Sequence, residues 1–153
     1  MATLIQGDEL RTLLLGQRAS KSTGTLAATT VALFTIAGGR VGITSIYGLV
    51  GTAITVANSY KLVSNPTTGT TQDLCTATDL GTNDTPAGAV LSMASPAAAI
   101  TGGSTTTIVA SPLTGVVIIP VGQIESVSAG TDGEITWVVN WIPLDDGASL
   151  VAA

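Results

Sequence analysis

Three pairs of acidic residues lie close together in the sequence and are the first candidates for chemistry. They are Asp79 with Asp84, Asp132 with Glu134, and Asp145 with Asp146. A glycine follows closely in each case, and calcium in proteins is bound by several carboxylate and carbonyl oxygens from such loops. None of the pairs has the spacing of an EF-hand loop, and Asp-Gly is also what tight turns require. The sequence therefore predicts turns and no metal here, with a calcium site as the alternative.

The chain lacks the residues that enzymes most often use for catalysis. There is no histidine, which removes the commonest general base and a common metal ligand. Two carboxylates suffice for glycoside hydrolysis, but aromatic platforms for a sugar are scarce because aromatic residues make up only 3% of the chain. The single cysteine, Cys75, lies in an apolar stretch, which favours a packing role. The sequence predicts no enzyme, no catalytic residue and no cofactor.

The composition indicates an oligomer. Charged residues make up 10% of the 153 residues, against about 25% in an average protein, and the mean hydropathy is +0.54. The longest nearly apolar run, 115–121, is far shorter than the roughly 20 residues that span a bilayer. A membrane is therefore not predicted as a partner, and we expect the apolar surface to be covered by copies of the chain or by another protein.

The charges are unevenly distributed along the chain. Three of the five cations lie in the first 21 residues, and no lysine or arginine follows Lys61. Eight of the ten acids lie beyond Lys61, and the net charge is −5. Since nucleic-acid binding depends on cations that neutralise phosphates, nucleic acid is not predicted as a partner.

Residues 1–27 differ from the remainder and are predicted to form an N-terminal arm. Leu10, Leu13 and Leu14 fall on one side at helical spacing. Asp8 predicts the start of a short helix, and Gly16 its end. Such a segment is too short to be stable alone, so we expect it to lie on a protein surface.

Two interpretations of this arm remain open. It packs on its own domain, or it reaches a neighbouring subunit or another protein. The polar, unpatterned run 17–24 predicts a tether and favours the second interpretation. The residues then expected to bind the partner are the leucines and the cations of the arm: Leu10, Arg11, Leu13, Leu14, Arg18 and Lys21.

From residue 28 onward the pattern is typical of short β-strands. Thr, Val, Ile and Gly are abundant, and alternating segments are separated by turn residues. Strands are predicted over 30–37, 40–50, 53–57, 60–64, 72–79, 89–93, 105–110 and 115–120. The last of these is apolar on both faces and is expected to be central. No interval has room for a crossover helix, so the strands should be mainly antiparallel.

A β-hairpin is predicted near the end of the chain. Its arms are 122–128 and 134–143, joined by a turn over 129–133 that contains Asp-Gly. Trp137 and Trp141 share one face of the second arm and are expected to lie in the core, with a ligand site as the alternative. The predicted fold is all-β: an antiparallel β-sandwich of jelly-roll type over residues 28–153, with the N-terminal arm extending from it.

Six parts of the sequence carry a family resemblance. They are Leu33 to Val41, Tyr60 to Gly69, Asp73 to Cys75, Pro120 to Ile124, Trp137, and Ile142 to Ala148. Together they resemble small structural proteins of tailed bacteriophages, over about residues 29–153. The resemblance implies a head decoration, or cement, protein. Such proteins are β-sandwich or jelly-roll subunits that trimerise on the outer capsid surface and clamp neighbouring major capsid proteins.

The function expected on this basis is that of a virion structural protein with no enzymatic role. Its partners would be two further copies of itself and the major capsid protein, and its location the outer surface of the capsid. Two alternatives are a tail, baseplate or fibre attachment protein of the same virus, and a carbohydrate-binding β-sandwich module. The acidic balance of the chain suits a position outside the shell, away from the packaged DNA.

The composition generates a first prediction. Because few charges and high mean hydropathy leave a single subunit poorly solvated, the purified protein should be a stable homo-oligomer, most simply a trimer. Static light scattering at micromolar concentration measures this directly. A mass of 15.2 kDa, that of one chain, would contradict it.

Overall fold

The computed structural model describes residues 6–93, 98–101 and 115–153, and it contains one helix and thirteen strands in those ranges. In chain order they are α1 (Gly7–Leu15), β1 (Gln17–Thr25), β2 (Thr30–Ala37), β3 (Val41–Thr52), β4 (Ser59–Pro66), β5 (Gln72–Asp73), β6 (Cys75–Thr76), β7 (Thr78–Asp79), β8 (Val90–Met93), β9 (Ala98–Thr101), β10 (Val117–Ile119), β11 (Gly122–Val127), β12 (Glu134–Pro143) and β13 (Ser149–Ala152). In these ranges no helix is long and apolar enough to cross a membrane.

The strands form two sheets that share one hydrophobic core. Sheet A has the order β1-β12-β3-β8-β9-β6, with β10 paired to β3 beside β8. Sheet B has the order β13-β2-β11-β4-β5, with β7 paired to β4. The pairings are antiparallel apart from the one between β6 and β9. The predicted all-β, mainly antiparallel, two-sheet architecture is confirmed.

The strand pairings are nested. β1 pairs with β12 and β2 pairs with β11, while β3 pairs with β10. The first three strands therefore pair with the twelfth, eleventh and tenth strands in turn, and these three pairs lie alternately in sheet A and sheet B. This arrangement places both ends of the described chain at the same side of the sandwich, where β1 and β13 are the edge strands of their sheets.

The core lies between the sheets and is built by residues at alternate positions along the central strands. The inward face of β12 is formed by Ile135, Trp137, Val139 and Trp141, which are all buried, as the alternation predicts. Phe34 of β2 and Ile124 of β11 face them from sheet B. The two tryptophans are therefore core residues, and the alternative of a tryptophan ligand face does not apply.

Trp137 and Tyr60, the two largest fully buried side chains among the described residues, join the two sheets. The indole Nε1 of Trp137 in β12 donates a hydrogen bond of 2.7 Å to the Tyr60 hydroxyl in β4. The two rings stack with their centroids 6.1 Å apart. Gly48 in β3 leaves room for this indole, since a Cβ there would lie 3.3 Å from the Trp137 ring. Burial raises the pKa of Tyr60, so its hydroxyl stays protonated.

The predicted hairpin of 122–128 and 134–143 is wrong. Both arms are strands, but β11 belongs to sheet B and β12 to sheet A, so the connection crosses between the sheets. The side-chain oxygen of buried Asn58 accepts hydrogen bonds from the Ser128 hydroxyl and from the amides of Ala129 and Gly130. These bonds hold the backbone where the chain leaves sheet B, because the donors would otherwise be buried without a partner.

The predicted polar tether over 17–24 is also wrong. This segment is β1, an edge strand of sheet A that pairs with β12 from Gln17 opposite Trp141 to Thr25 opposite Glu134. Leu26, just beyond it, is 3% exposed and belongs to the core. A polar sequence is tolerated here because an edge strand has one open side and needs few apolar contacts. The sandwich therefore begins at Gln17.

Other strand predictions have mixed outcomes. The strand over 30–37 is confirmed to the residue, whereas 53–57 has only an isolated bridge between Ile54 and Thr85. The single strand predicted over 72–79 is three two-residue strands. The segment 115–120 contains β10, but this strand is not central: among the described residues it pairs only with β3, and Ile118 is 62% exposed. The strand predicted over 105–110 lies outside the described residues.

The contact between the sheets generates a second prediction. Tyr60→Phe removes the acceptor of the Trp137 indole N–H and leaves that donor buried without a partner. The free energy of unfolding should fall by about 1–3 kcal/mol, measured by denaturation in urea. Tyr47→Phe is the control, since Tyr47 is only partly buried and its hydroxyl has no hydrogen bond in the described part of the chain. Equal effects of the two substitutions would contradict the prediction.

Candidate interaction surface at the N-terminal helix

The predicted helix is present as α1. It begins after Gln6, whose backbone amide donates a hydrogen bond of 3.0 Å to the carboxylate of Glu9. The cap is thus Gln6 and not Asp8, which lies inside the first turn. At the other end Gly16 adopts a φ of +85° and its amide bonds to the carbonyl of Thr12, which ends the helix where the sequence predicts.

The leucine face of α1 is open to solvent. Leu10, Leu13 and Leu14 are 50%, 74% and 71% exposed, and no residue of α1 is buried. Within the described residues the helix therefore does not pack this face on its own domain, which was one of the two interpretations of the arm. A nine-residue helix gains little stability from its own hydrogen bonds. We therefore expect its leucines to pack against another protein surface.

The C-terminal end of α1, which we call its base, is bound to sheet A. The Thr44 hydroxyl of β3 donates a hydrogen bond to the carbonyl of Leu15. Gly16 lies directly against β12, because a Cβ at this position would lie 2.2 Å from the Trp141 carbonyl oxygen and 2.7 Å from the Ile142 side chain. The helix thus projects from a fixed point at the edge of the sandwich.

The predicted cations of the arm do not form one group. Arg11 lies on the exposed helix, while Arg18 and Lys21 lie on β1, opposite Asn140 and Trp137 respectively. Lys21 therefore points toward the core side of this edge strand, and its Nζ donates to the backbone carbonyl of Ala153. An inward-pointing lysine on an edge strand also opposes pairing with further strands. The structure places Arg11, but not Lys21, beside the leucine face.

A second exposed apolar surface lies next to the base of α1, and sequence reasoning missed it. It is formed over Gly42 of β3 by Val116, Ile118, Ile142 and Leu144, and we call it the Gly42 patch. A Cβ on Gly42 would lie 2.4 Å from Val116, 3.2 Å from Ile142 and 3.4 Å from Leu144.

Three of the patch residues are exposed to solvent: Val116 at 48%, Ile118 at 62% and Leu144 at 41%. The apolar run around Ile118 predicted a buried central strand. That prediction failed because a run without polar alternation does not indicate which of its residues face solvent. The position of Leu144, beyond Pro143 and before two aspartates, was the only hint of exposure in the sequence.

The acidic residues take part in turns. Asp79 accepts hydrogen bonds from the Thr82 hydroxyl and from the amides of Asn58, Gly81 and Thr82. These bonds, led by the one from Thr82, lower the pKa of Asp79. A carboxylate that accepts several backbone amides fixes the loop around it, as predicted for a turn residue.

Asp132 and Asp145, one residue from each of the other two acidic pairs, have similar partners. Asp132 accepts from the Thr55 hydroxyl and from the amides of Thr55 and Val56, and these bonds lower its pKa. Asp145 binds the Arg40 guanidinium at 2.8 Å and also the Arg40 amide, which lowers the pKa of Asp145. In the part of the chain that the structure describes, no three acidic, cysteine or histidine side chains form a group that could hold a metal ion.

The remaining candidates offer little chemistry. Cys75 is buried, its Sγ accepts a hydrogen bond from the Leu62 amide, and burial raises the pKa of the thiol. A surface depression of about 420 Å³ is lined by residues of which none is aromatic: Gly39, Arg40, Thr67, Thr68, Pro120, Val121 and Asp145. Small-molecule sites are usually lined by apolar and aromatic side chains with a few polar groups, so this depression gives the carbohydrate-binding alternative no particular support.

Comparisons with protein-family models, with curated proteins and with solved structures find no match to this chain.

The turn carboxylates generate a third prediction. Their folded-state pKa values lie below the ordinary value near 3.9, so their contribution to stability is present above that pH and is lost as pH falls through the folded pKa. The melting temperature should fall from about pH 5 toward pH 2, and Asp132→Asn should lower it at pH 7 but have less effect near pH 2.

The control for this experiment is Asp84→Asn, because no hydrogen bond of the Asp84 carboxylate occurs in the described ranges. Its melting curve should follow that of the unaltered protein at every pH. An Asp132→Asn curve that runs parallel to the unaltered protein from pH 7 to pH 2 would show that this carboxylate does not contribute through its charge.

Proposed function

We propose that this chain is a structural protein of a tailed-phage virion that decorates the outer surface of the capsid. It forms a homotrimer, binds the major capsid protein, and stabilises the shell without enzymatic activity. The observation that carries the proposal is the helix α1, which is fixed to a rigid sandwich and presents an uncovered leucine face. A protein whose apolar attachment element is exposed in the single chain is suited to assembly rather than catalysis.

The strand pairing supports the jelly-roll assignment. In a jelly roll two antiparallel sheets are wound so that strands pair in a nested order. Here β1 with β12, β2 with β11 and β3 with β10 follow such an order, and the sheet orders β1-β12-β3-β10 and β2-β11-β4-β5 agree with it. This architecture is the one that the resemblance to decoration proteins implies.

The distribution of charge supports an external location. No lysine or arginine follows Lys61, so most of the sandwich is acidic. A subunit with a net charge of −5 has few cations to neutralise phosphates, and it would be repelled by DNA packaged inside the shell. On the outside its charge keeps decorated particles soluble.

The function is tested by adding the purified protein to capsids assembled without it and imaging the particles by cryo-electron microscopy. Decoration gives many copies spread over the shell. Copies confined to one vertex would replace the proposal with the tail, baseplate or fibre alternative, and no density on any particle would overturn both.

A fourth prediction concerns the helix in this assay. Replacing Leu10, Leu13 and Leu14 by serine should weaken assembly of the protein on capsids by at least about 100-fold, because these leucines become buried on assembly. A fully buried leucine contributes roughly 1.5–3 kcal/mol, and each 1.4 kcal/mol is about tenfold. These leucines are exposed, so the sandwich should keep its circular dichroism spectrum. Val56→Ser, at a 47% exposed valine beyond the other end of β3, is the control. Full occupancy by the leucine variant would refute a role for α1 in assembly.

Deleting the whole predicted arm, residues 1–27, would not test the role of α1. Residues 17–25 form β1 and Leu26 lies in the core, so their removal would uncover the edge of β12. A deletion confined to residues 2–15 removes the helix and leaves the sandwich complete.

A further inference from the structure

Two exposed apolar surfaces lie side by side in the described part of the chain. One is the leucine face of α1, formed by Leu10, Leu13 and Leu14, and the other is the Gly42 patch. They meet where Gly16 lies against the Ile142 side chain. The residues of both surfaces are exposed by 41–74%, apart from Ile142, which is partly buried.

The geometry keeps α1 from covering the Gly42 patch of its own chain. Gly16 is the only residue between the helix and β1. On one side of it the register of β1 is set by Gln17 opposite Trp141, and on the other side the Leu15 carbonyl is held by Thr44. With both ends of the connection fixed, the leucines cannot be turned onto the adjacent patch without breaking one of these contacts.

We propose that the leucine face of α1 packs onto the Gly42 patch of a neighbouring copy of this chain. The contact joins two different surfaces, so it is heterologous and generates a closed ring when the rotation between copies closes. The proposal rests on the homo-oligomer that forms part of the proposed function, and it names the surface through which that oligomer is held. It does not depend on attachment to a capsid.

One charge beside each surface is complementary to one beside the other. Arg11 lies next to the leucine face, and Asp146 follows Leu144 at the rim of the Gly42 patch by two residues. Neither forms an ion pair within the described ranges, where the salt bridges are Arg40 with Asp145 and Lys61 with Asp73. In the proposed contact Arg11 of one copy approaches Asp146 of the next, and such a rim pair sets the register more than the affinity.

A second copy fits these observations better than another protein does. The two surfaces occur once each in every chain, so a ring of identical subunits covers both in equal number. The space over Gly42 is filled by Val116, Ile142 and Leu144, so the patch presents aliphatic side chains against which the leucines of α1 can pack. Stable interfaces bury about 800 Å² per partner, so the contact must extend beyond these residues to the neighbouring surface of sheet A.

The experiment is a disulfide cross-link between copies. One chain carries Leu13→Cys and a differently tagged chain carries Ile118→Cys, and the two are co-expressed and mildly oxidised. The native Cys75 is buried and does not compete. A disulfide-linked dimer containing both tags is expected. Thr12→Cys replaces Leu13→Cys in the control, because Thr12 lies on the side of α1 away from the leucine face and should give little product.

A second measurement uses the charge pair and the oligomer mass. Arg11→Glu should raise the dissociation constant of the oligomer several-fold, and Asp146→Arg in the same chain should restore it. Ile118→Ser should give a lower mass by light scattering than Val56→Ser at the same concentration. All of these residues are exposed, so circular dichroism should show an intact fold in each variant.

The outcomes separate this inference from the proposed function. An oligomer that gives no mixed disulfide, or that gives equal product with Thr12→Cys, overturns the helix contact and leaves capsid decoration standing. A monomeric protein overturns the contact as well. Efficient and specific cross-linking without binding to undecorated capsids supports the contact and refutes decoration.

Discussion

The contact between Trp137 and Tyr60 is the interaction on which the rest of the structure depends. It is buried at the centre of the sandwich and connects β12 of sheet A with β4 of sheet B by ring stacking and by one hydrogen bond. The chain has only five aromatic residues, and a tryptophan buries about 150–250 Å², so few other contacts can bring the sheets together with comparable energy. Gly48 leaves the space that this arrangement needs.

The position of β12 determines where the candidate interaction surface lies. After β11 of sheet B the chain crosses beside the Asn58 side chain into sheet A, where it forms β12. Because β11 does not pair with β12, both edges of β12 remain available. One edge pairs with β3 and the other with β1. The pairing with β1 fixes Gly16 against Ile142 and so places α1 beside the Gly42 patch. The exposed apolar surfaces are thus a consequence of how the core is closed.

The polar residues of the chain serve the fold. Asp79, Asp132 and Asp145 are engaged by backbone amides, hydroxyls or a guanidinium in the loops that connect the strands. Among the described residues, exposed apolar side chains lie on α1 and over Gly42. Exposed leucines on a short helix gain free energy when another protein surface covers them. This is the physical basis on which we propose assembly into a decorated capsid.

The sequence alone was sufficient for features that depend on neighbouring residues. It predicted β2 to the residue, the end of α1 at Gly16, the buried face of β12 and the turn role of the aspartates, because side-chain alternation, helix periodicity and turn chemistry are local.

The tertiary structure decided which strands are partners. Strands β11 and β12 look like a hairpin in sequence, but they lie in different sheets because the Asn58 side chain, 70 residues away from Ser128, supplies the bonds that hold the crossing. The polar segment 17–25 became a strand only because β12 offered it an edge, and Ile118 of β10 lies exposed although the sequence around it is apolar. Pairing joins groups that are far apart in the chain, so no local pattern encodes it, and the exposure of the Gly42 patch follows from that pairing.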